Sequence, residues 1–283
     1  MTMDDSAANV HEFFVDQAWL KSHIDEAPNE IRSFLEGDGI YLANKKVLDF
    51  GTGDGLIAKS LSHLGNCDVL GVDVLELDQV FLANATEKLC NSNCKHRFSF
   101  SKITENEGIN YFEEFDLAVS WSAAEHIMDF QIASNQVFNS LKRNGLFFLQ
   151  TYPLWNSAWG HHLFEWLPRY FHLNHSIPEI IQHLNEIINV PNPVKLKNGI
   201  FTVDLNLILQ DRNTTKTLWL RKCEEVLLSC NRITIQEIES KLIKSGFIIS
   251  KVELITSTSH LPEIRTNFLD SLIDGVKLLA YKP

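Results

Sequence analysis

The stretch that decides the fold is VLDFGTGDGLIAKSL, residues 47–61. Residues 47–50 have the largely apolar character of a short buried strand, whereas residues 56–61 have the spacing and composition that predict the start of a helix. Between them lie three alternating glycines, Gly51, Gly53 and Gly55. Glycine admits positive φ and leaves no side chain between the backbone and a ligand, while the helix N-terminus presents free N–H groups. The turn therefore predicts a nucleotide-like ligand.

The spacing of these glycines separates two classes of cofactor. A dinucleotide fingerprint, G-x-G-x-x-G, needs its third glycine at position 56, where this chain has Leu56. The chain instead reads D-x-G-x-G-x-G from Asp49, and this pattern resembles motif I of the class I S-adenosylmethionine (SAM) dependent methyltransferases. The resemblance implies SAM as the cofactor, with Asp49 near its amino group. It assigns the contacts of this turn to Asp49, Gly51, Thr52, Gly53 and Gly55.

A second apolar run, DVLGVD at residues 68–73, ends in Asp73. Its distance from the glycine turn suits a carboxylate that accepts both ribose hydroxyls, as an acid does in dinucleotide folds. An acid after a strand is also a common turn residue, but the joint placement with motif I resembles motif II of the same family. We therefore expect Asp73 to bind the ribose, with Val74 beside it.

The third predicted strand, residues 97–101, departs from the family pattern. Many class I methyltransferases carry an acid just after this strand to meet the adenine amino group, whereas this chain continues Ser101-Lys102-Ile103-Thr104. We expect the adenine contact to come from the backbone or from Thr104.

The fourth predicted strand, FDLAVS at residues 115–120, runs into WSAAEHI. This passage resembles the motif IV region of small-molecule methyltransferases. It lies at the carboxyl edge of the sheet, where open α/β folds bind ligands. Trp121 is expected to flank the adenosine or methionine part of SAM. Glu125 and His126 have two interpretations: site residues, with His126 a candidate base, or helix-start residues held by the dipole and by packing.

Strands and helices alternate from the glycine turn onward, which predicts a Rossmann-like, doubly wound, mostly parallel sheet. Seven strands are predicted, at residues 47–50, 68–73, 97–101, 115–120, 146–152, 247–255 and 276–281. The resemblance implies that the last strand is antiparallel. Four segments follow: a helical lid at 1–43, a SAM-binding core at 44–152, a helical substrate-cap insertion at 153–232, and the completion of the core sheet at 233–283. The lid segment could instead only cover the edge of the sheet.

The start of the cap is rich in histidine and tryptophan, PLWNSAWGHHLFEWLPRYFHLNH at residues 153–175. A neutral imidazole is the side chain best matched to removing a hydroxyl proton near pH 7. We expect one of His161 and His162 to be a general base, with His172 and His175 further away; the alternative is that these histidines are hydrogen-bonded parts of an aromatic cap. No metal is expected, because no H-E-x-x-H spacing occurs, although ligands from separate loops stay open.

Composition limits the partners. The formal net charge of −11 disfavours binding of nucleic acid by bulk charge. An acidic N-terminal segment and the lack of a long apolar run predict a cytoplasmic protein without a membrane partner. Five cysteines without paired C-x-x-C spacing favour reduced, buried thiols.

The function that the residues favour is methyl transfer from SAM to a small or carrier-linked acceptor, at oxygen, of the sugar or secondary-metabolite type. Two alternatives stay open at this point. One is a non-catalytic SAM-binding or interaction protein of the same fold. The other is a nicotinamide-dependent oxidoreductase, against which the residue at position 56 argues.

Overall fold

The computed structural model describes residues 17–87, 97–104, 108–164, 166–188, 195–197, 202–204, 215–256 and 272–283. The central feature of these residues is a seven-stranded sheet in the order β3-β2-β1-β4-β5-β9-β8. Its strands are β1 Lys46–Phe50, β2 Asp68–Asp73, β3 Phe98–Lys102, β4 Phe115–Trp121, β5 Leu141–Thr151, β8 Ile248–Thr256 and β9 Ile273–Tyr281. Two further strands, β6 Lys195–Lys197 and β7 Thr202–Asp204, form a separate antiparallel pair.

All strands of the large sheet run parallel except β9, which is antiparallel to both β5 and β8. The predicted Rossmann-like, doubly wound sheet with an antiparallel last strand is confirmed. The order reverses beside β1, because β2 lies on one side of it and β4 on the other. Ligands bind at such a switch point, outside the carboxyl ends of the strands.

Helices cover both faces of the sheet. In chain order they are α1 Gln17–Lys21, α2 Ala27–Gly37, α3 Leu56–Gly65, α4 Gln79–Ala85, α5 Phe130–Ser140, α6 Phe171–Asn174, α7 Ile177–Ile188, α8 Lys216–Ser229 and α9 Ile235–Ser245. A π-helical turn, Ser22–Glu26, joins α1 to α2. Helices α2 and α3 pack on one face against Val47 and Phe148, and α5 and α9 pack on the other against Leu48 and Phe147. Side chains alternate between faces along each strand, so this core is built on both sides.

The segment between β5 and α9 has an apolar cluster of its own. Trp166 and Leu167 pack there against one face of α7 and one face of α8. The buried members from those helices are Ile180, Leu184, Ile188, Trp219, Cys223 and Leu227. Within the described ranges, no helix combines the length and the apolar character needed to cross a membrane.

Two predicted boundaries differ from the structure. β5 begins at Leu141 rather than at residue 146, because Leu141 is buried and pairs with Phe115. The Asn144-Gly145 pair predicts a left-handed residue in a turn before this strand; Asn144 does have φ +60°, but it lies within β5, which has a register shift between Phe115 and Leu117. Helical spacing over residues 77–92 predicts one helix; the structure shows α4, Gln79–Ala85, which Asp78 caps, and residues 88–96 lie outside the described part.

Candidate active site

The glycine turn joins β1 to α3 with left-handed backbone at each glycine. Gly51, Gly53 and Gly55 have φ of +77°, +54° and +74°. The turn is fastened to the neighbouring strand, because the N–H groups of Gly51 and Thr52 both donate to the carbonyl of Val72, at 2.9 and 3.1 Å. This conformation is the one that the alternating glycines predict, and it leaves the start of α3 open to a ligand.

Gly51 also has to be small. A Cβ at this position would lie 2.5 Å from Cβ of Ala123, whereas a Cβ on Gly39, at a similar φ of +75°, would meet nothing within 4 Å. We expect Gly39→Ala to cost about 1–2 kcal/mol, the strain of left-handed backbone alone. Gly51→Ala should cost about 1–3 kcal/mol more, because it adds a steric overlap. Urea unfolding of both variants measures the difference; equal losses would show that the contact with Ala123 is easily relieved.

Asp49, near the end of β1, is a buried carboxylate that is 2% exposed. One of its oxygens, Oδ2, accepts a hydrogen bond from Thr52 Oγ1 at 2.6 Å. Its pKa is raised to about 7, mainly by burial and to a smaller extent by the nearby Asp73 and Asp54, against the Thr52 hydrogen bond, which lowers it. A cation placed beside Asp49 would reverse this shift, so the site suits a positively charged group such as an amino-acid ammonium.

Asp73 ends β2 with its carboxylate turned back to the glycine turn. Oδ2 accepts from the backbone N–H of Gly53 at 2.8 Å, and Oδ1 accepts from that of Leu75 at 2.9 Å. Each carboxylate oxygen has a second acceptor site, so Asp73 can still accept two hydroxyls. The structure thus brings the two predicted acids to the same turn, which Asp49 contacts through Thr52 and Asp73 contacts through Gly53.

The N-terminal helix reaches this turn. Trp19 of α1 donates its indole N–H to Oδ2 of Asp54 at 3.1 Å, and Asp54 Oδ1 accepts from the N–H of Leu56. Trp19 also packs with the apolar group around Leu56, Leu77 and Leu82. The contact between Trp19 and Asp54 was not foreseen, because the two residues are far apart in sequence.

The other predicted cofactor residues lie along the same edge. Val74 is 45% exposed next to Asp73, and Thr104 follows Ile103, whose N–H donates to the carbonyl of Asp73 at 2.8 Å. Trp121 ends β4 and stacks on Phe148 with ring centroids 6.4 Å apart. Its ring therefore packs against the α2 and α3 side of the sheet.

Glu125 lies just past β4 in the 3₁₀ turn Ala124–His126, and it is 2% exposed. Oε2 accepts from Thr151 Oγ1 at the end of β5, at 2.7 Å, and Oε1 is buried without a hydrogen-bond partner. Burial raises the pKa of Glu125 to about 7, against hydrogen bonds that lower it. A half-satisfied buried carboxylate is costly, which marks Glu125 as a candidate functional group.

Two histidines meet beside this carboxylate. The rings of His126 and His162 are 4.8 Å apart, and each of Glu125, His126 and His162 offers a ligand atom within 4.8 Å of the others. Nδ1 of His162 is 3.1 Å from the carbonyl of Gly160, which can only accept, and Nε2 is buried without a partner. A proton on Nδ1 leaves Nε2 as the basic nitrogen. We call these three residues the 125–126–162 cluster.

The pKa values of both imidazoles in this cluster are lowered. Burial lowers the pKa of His162 to about 3, and the neighbouring His126 lowers it further. Desolvation of the His126 ring also lowers its pKa, although that residue keeps an exposed edge. Both are therefore neutral near pH 7 and able to accept a proton.

His161 has a different environment. It is fully buried, Nδ1 accepts from the N–H of Leu163 at 2.9 Å, and Nε2 is 3.2 Å from the carbonyl of Pro168. Both ring nitrogens are thus engaged within the cap. His172 is also buried, with Nε2 2.6 Å from the carbonyl of Trp155. Of the two histidines proposed from the sequence at the start of the cap, the structure places His162 and not His161 beside the motif IV turn.

The residues that hold this cluster in place were not predicted from the sequence. Asn231 donates its side-chain amide to the carbonyls of Ala124 and Ile127, at 2.7 and 2.6 Å, and its backbone N–H to that of Glu125. Cys230 Sγ lies 3.1 Å from His162 Nδ1. These residues lie some hundred positions after the motif IV turn, and no local pattern links the two segments. The predicted lack of a metal stays a prediction, since the cluster has the donor types that bind one.

Comparison with known proteins gives the same fold and names a family. The model of the methyltransferase domain family matches residues 20–198, well over half of the chain. A ubiquinone biosynthesis O-methyltransferase from Bartonella tribocorum is 30% identical over 135 residues, covering 46% of this chain and 52% of that protein. The chain thus spans about half the length of the curated relatives that it matches.

Solved structures are similar in fold. A SAM-dependent methyltransferase from Mesorhizobium loti is 18% identical with a TM-score of 0.50, covering 92% of this chain and 100% of that one. Phosphoethanolamine N-methyltransferase 2 of Haemonchus contortus, solved with phosphomonomethylethanolamine and S-adenosylhomocysteine, is 14% identical with a TM-score of 0.53. The likeness covers 94% of this chain and 56% of that one. At these identities the likeness concerns the fold.

Proposed function

The chain belongs to the methyltransferase domain family, and from that premise we propose that it transfers the methyl group of SAM to a hydroxyl of a small or carrier-linked acceptor. The observation that carries the proposal is that two groups of residues lie at the carboxyl ends of neighbouring strands. Asp49 and Asp73 lie at the carboxyl ends of β1 and β2, the glycine turn follows β1, and Glu125 and His126 follow β4 with His162 beside them. The names of the curated relatives, O-methyltransferases, support oxygen as the site of methylation.

The residues around the glycine turn fit SAM. The pKa of Asp49 is raised by burial among carboxylates, so this side chain suits the ammonium of the methionine part. The two oxygens of Asp73 keep acceptor sites for the ribose hydroxyls. Val74, Thr104 and Trp121 lie along the edge that the adenine would occupy. Bound SAM would supply a methyl group on a sulfonium, open to in-line attack.

The chain has to align the acceptor and remove its proton. We assign the proton to His126, the member of the cluster with an exposed edge. The imidazolium that results is stabilised by the Glu125 carboxylate, which has an unpartnered oxygen, and its N–H can donate to Nε2 of His162. General bases of this kind contribute roughly 10²-fold to 10⁴-fold to a rate.

The remaining parts of the chain have roles in excluding water and choosing the acceptor. In this proposal the described part of segment 1–43 acts as a lid, and its helix α1 is tied to the glycine turn through Trp19 and Asp54. The described part of segment 153–232 acts as a cap, which brings His162 to the motif IV turn and packs around its own apolar cluster. We assign SAM binding to the segment 44–152 and completion of the sheet to the segment 233–283. A closed site strengthens the electrostatic interactions within it.

The affinity for SAM is expected to depend on pH through Asp49. Its pKa is about 7 without a cation, and a bound ammonium favours the ionised form and lowers that pKa. Above pH 7 Asp49 is already ionised, so binding of SAM displaces no proton. Below pH 7 Asp49 is protonated, and binding must displace that proton. Affinity should fall by up to about tenfold per pH unit as the pH drops below 7. Calorimetric titration at several pH values measures the slope.

Two variants assign this slope. Asp49→Asn should bind weakly at every pH, with the slope removed. Glu125→Gln should keep the slope, although Glu125 also titrates near pH 7. A slope that survives in Asp49→Asn would show that another group is responsible.

The proposed activity is tested by incubating the chain with SAM and a panel of hydroxyl-bearing metabolites and measuring S-adenosylhomocysteine. Formation of this product in the presence of an acceptor, together with the methylated acceptor by mass spectrometry, is the expected result. Tight binding of SAM without turnover across the panel would instead favour a SAM-binding protein without catalysis. Enhanced fluorescence of NADH on binding would favour an oxidoreductase.

A further inference from the structure

The cap contains a cavity of about 470 Å³ that the proposed chemistry does not use. Its floor includes Trp155 and His172, both buried, and its rim includes the exposed Arg232. The other lining residues are Asn156, Leu173, Asn174, His175 and Ser176. Among the described residues that line the cavity none is Asp or Glu, although the chain as a whole has a formal net charge of −11.

Arg232 gives this cavity its charge. The guanidinium carbon lies 5.0 Å from the centroid of the Trp155 ring, and within the described ranges its guanidinium has no carboxylate partner. Stacking on an aromatic face orients a guanidinium and leaves its N–H edge available. An oriented guanidinium can bind carboxylate or phosphate with two parallel hydrogen bonds.

His172 adds a second polar group. Its Nε2 is 2.6 Å from the carbonyl of Trp155, while Nδ1 is buried without a partner. Burial lowers the pKa of His172 to about 4, and the charge of Arg232 also lowers it, so the guanidinium field reaches this imidazole. Glu179, near the cavity in sequence, is occupied by the N–H and hydroxyl of Ser176. The charge of the cavity therefore comes from Arg232 and favours an anion, whereas the neutral His172, whose Nε2 faces a carbonyl, offers Nδ1 as an acceptor for an O–H or N–H group of the same ligand.

Two contacts link the lining of the cavity to the 125–126–162 cluster, although none of the three cluster residues lines it. Arg232 follows Asn231, whose backbone and side chain hold the turn that carries Glu125 and His126. On the other side, the ring of His172 is 5.0 Å from that of His161, which precedes His162. A molecule that occupies both places has an anionic group at one end and a hydroxyl further along.

We infer that this cavity binds a carboxylate or phosphate group of the methyl acceptor, with Arg232 as the recognising cation. The assignment of the bound group to the methyl acceptor rests on the proposed function, whereas the anion site itself does not. It narrows the substrate class from hydroxyl compounds in general to anionic ones.

The test is calorimetric titration of the full chain with benzoate and, separately, with inorganic phosphate; benzamide is the neutral control. We expect saturable binding of at least one anion and none of benzamide. Arg232→Gln should weaken that binding by roughly tenfold or more, the loss of a charge-assisted hydrogen bond. Which anion binds tells a carboxylate site from a phosphate site.

Arg143→Gln is the matched control, because Arg143 is also exposed and lies at the amino end of β5, away from the cavity. It should bind the anions like the unmodified chain. Absence of saturable binding for both anions, or equal weakening in Arg232→Gln and Arg143→Gln, would overturn the inference. Binding of S-adenosylhomocysteine in the same samples shows that the chain is folded. Anion binding without methyl transfer to any acceptor would defeat the proposed function and leave the anion site standing.

Discussion

His126→Gln is expected to lower kcat by roughly 10²-fold to 10⁴-fold while the affinity for S-adenosylhomocysteine is unchanged. The glutamine cannot accept the hydroxyl proton, whereas the residues that bind the cofactor follow other strands. His162→Gln should also lower kcat, by a smaller factor, because His162 supports the charge on His126 and does not itself meet the acceptor. The measurement is the rate of S-adenosylhomocysteine formation with an acceptor identified by the panel.

Two other histidines provide controls. His183 lies on α7 and its ring contacts only Phe171 among the described rings, so His183→Gln should leave kcat unchanged. His161→Gln should lower the midpoint of thermal unfolding, since both ring nitrogens are hydrogen-bonded in the cap. If His161→Gln lowers kcat without loss of stability, and His126→Gln and His162→Gln do not, the base has been assigned to the wrong histidine.

Asp73→Ala is expected to weaken binding of SAM and of S-adenosylhomocysteine by roughly tenfold to a hundredfold. The substitution removes the acceptors for the ribose and also the acceptor for the N–H of Gly53, which shapes the turn. Calorimetric titration with both ligands measures the loss. Because the two ligands have the same ribose and differ only at the methylated sulfur, both should lose affinity to a similar extent.

Asp78→Ala is the control for Asp73→Ala, because it also removes a carboxylate that accepts backbone N–H groups. Asp78 caps α4 by accepting from Val80 and Phe81, at 2.9 and 2.8 Å, so its removal should cost about 1 kcal/mol of stability. It should leave cofactor affinity unchanged. Equal affinities in Asp73→Ala and the unmodified chain would exclude Asp73 from the cofactor site.

The sheet could be predicted from the sequence because its information is local. Several of its strands, β1, β2 and β4 among them, are short and largely apolar runs, and the glycines at 51, 53 and 55 have the positive φ that only glycine adopts easily. The parallel topology then places Asp49 and Asp73 at one edge, since the carboxyl ends of parallel strands meet there. The boundary of β5 was missed because its first residues pair across a register shift that no local pattern reveals.

The candidate base could be narrowed to a few histidines but not chosen from the sequence. His161 and His162 are adjacent in sequence. Nevertheless, the ring of His161 contacts the carbonyl of Pro168, whereas the ring of His162 contacts the ring of His126. The choice depends on the left-handed backbone of His162, at φ +58°, and on contacts with Cys230. Such contacts link segments far apart in the chain, which periodicity and spacing do not report.

The most direct test of the proposed methyl transfer is a crystal structure of the chain with S-adenosylhomocysteine bound. We expect the ammonium of the ligand to lie against Asp49, the ribose hydroxyls to bind Asp73, and the sulfur to face the 125–126–162 cluster. A ligand bound elsewhere, or one whose sulfur points away from that cluster, would contradict the proposed path of methyl transfer.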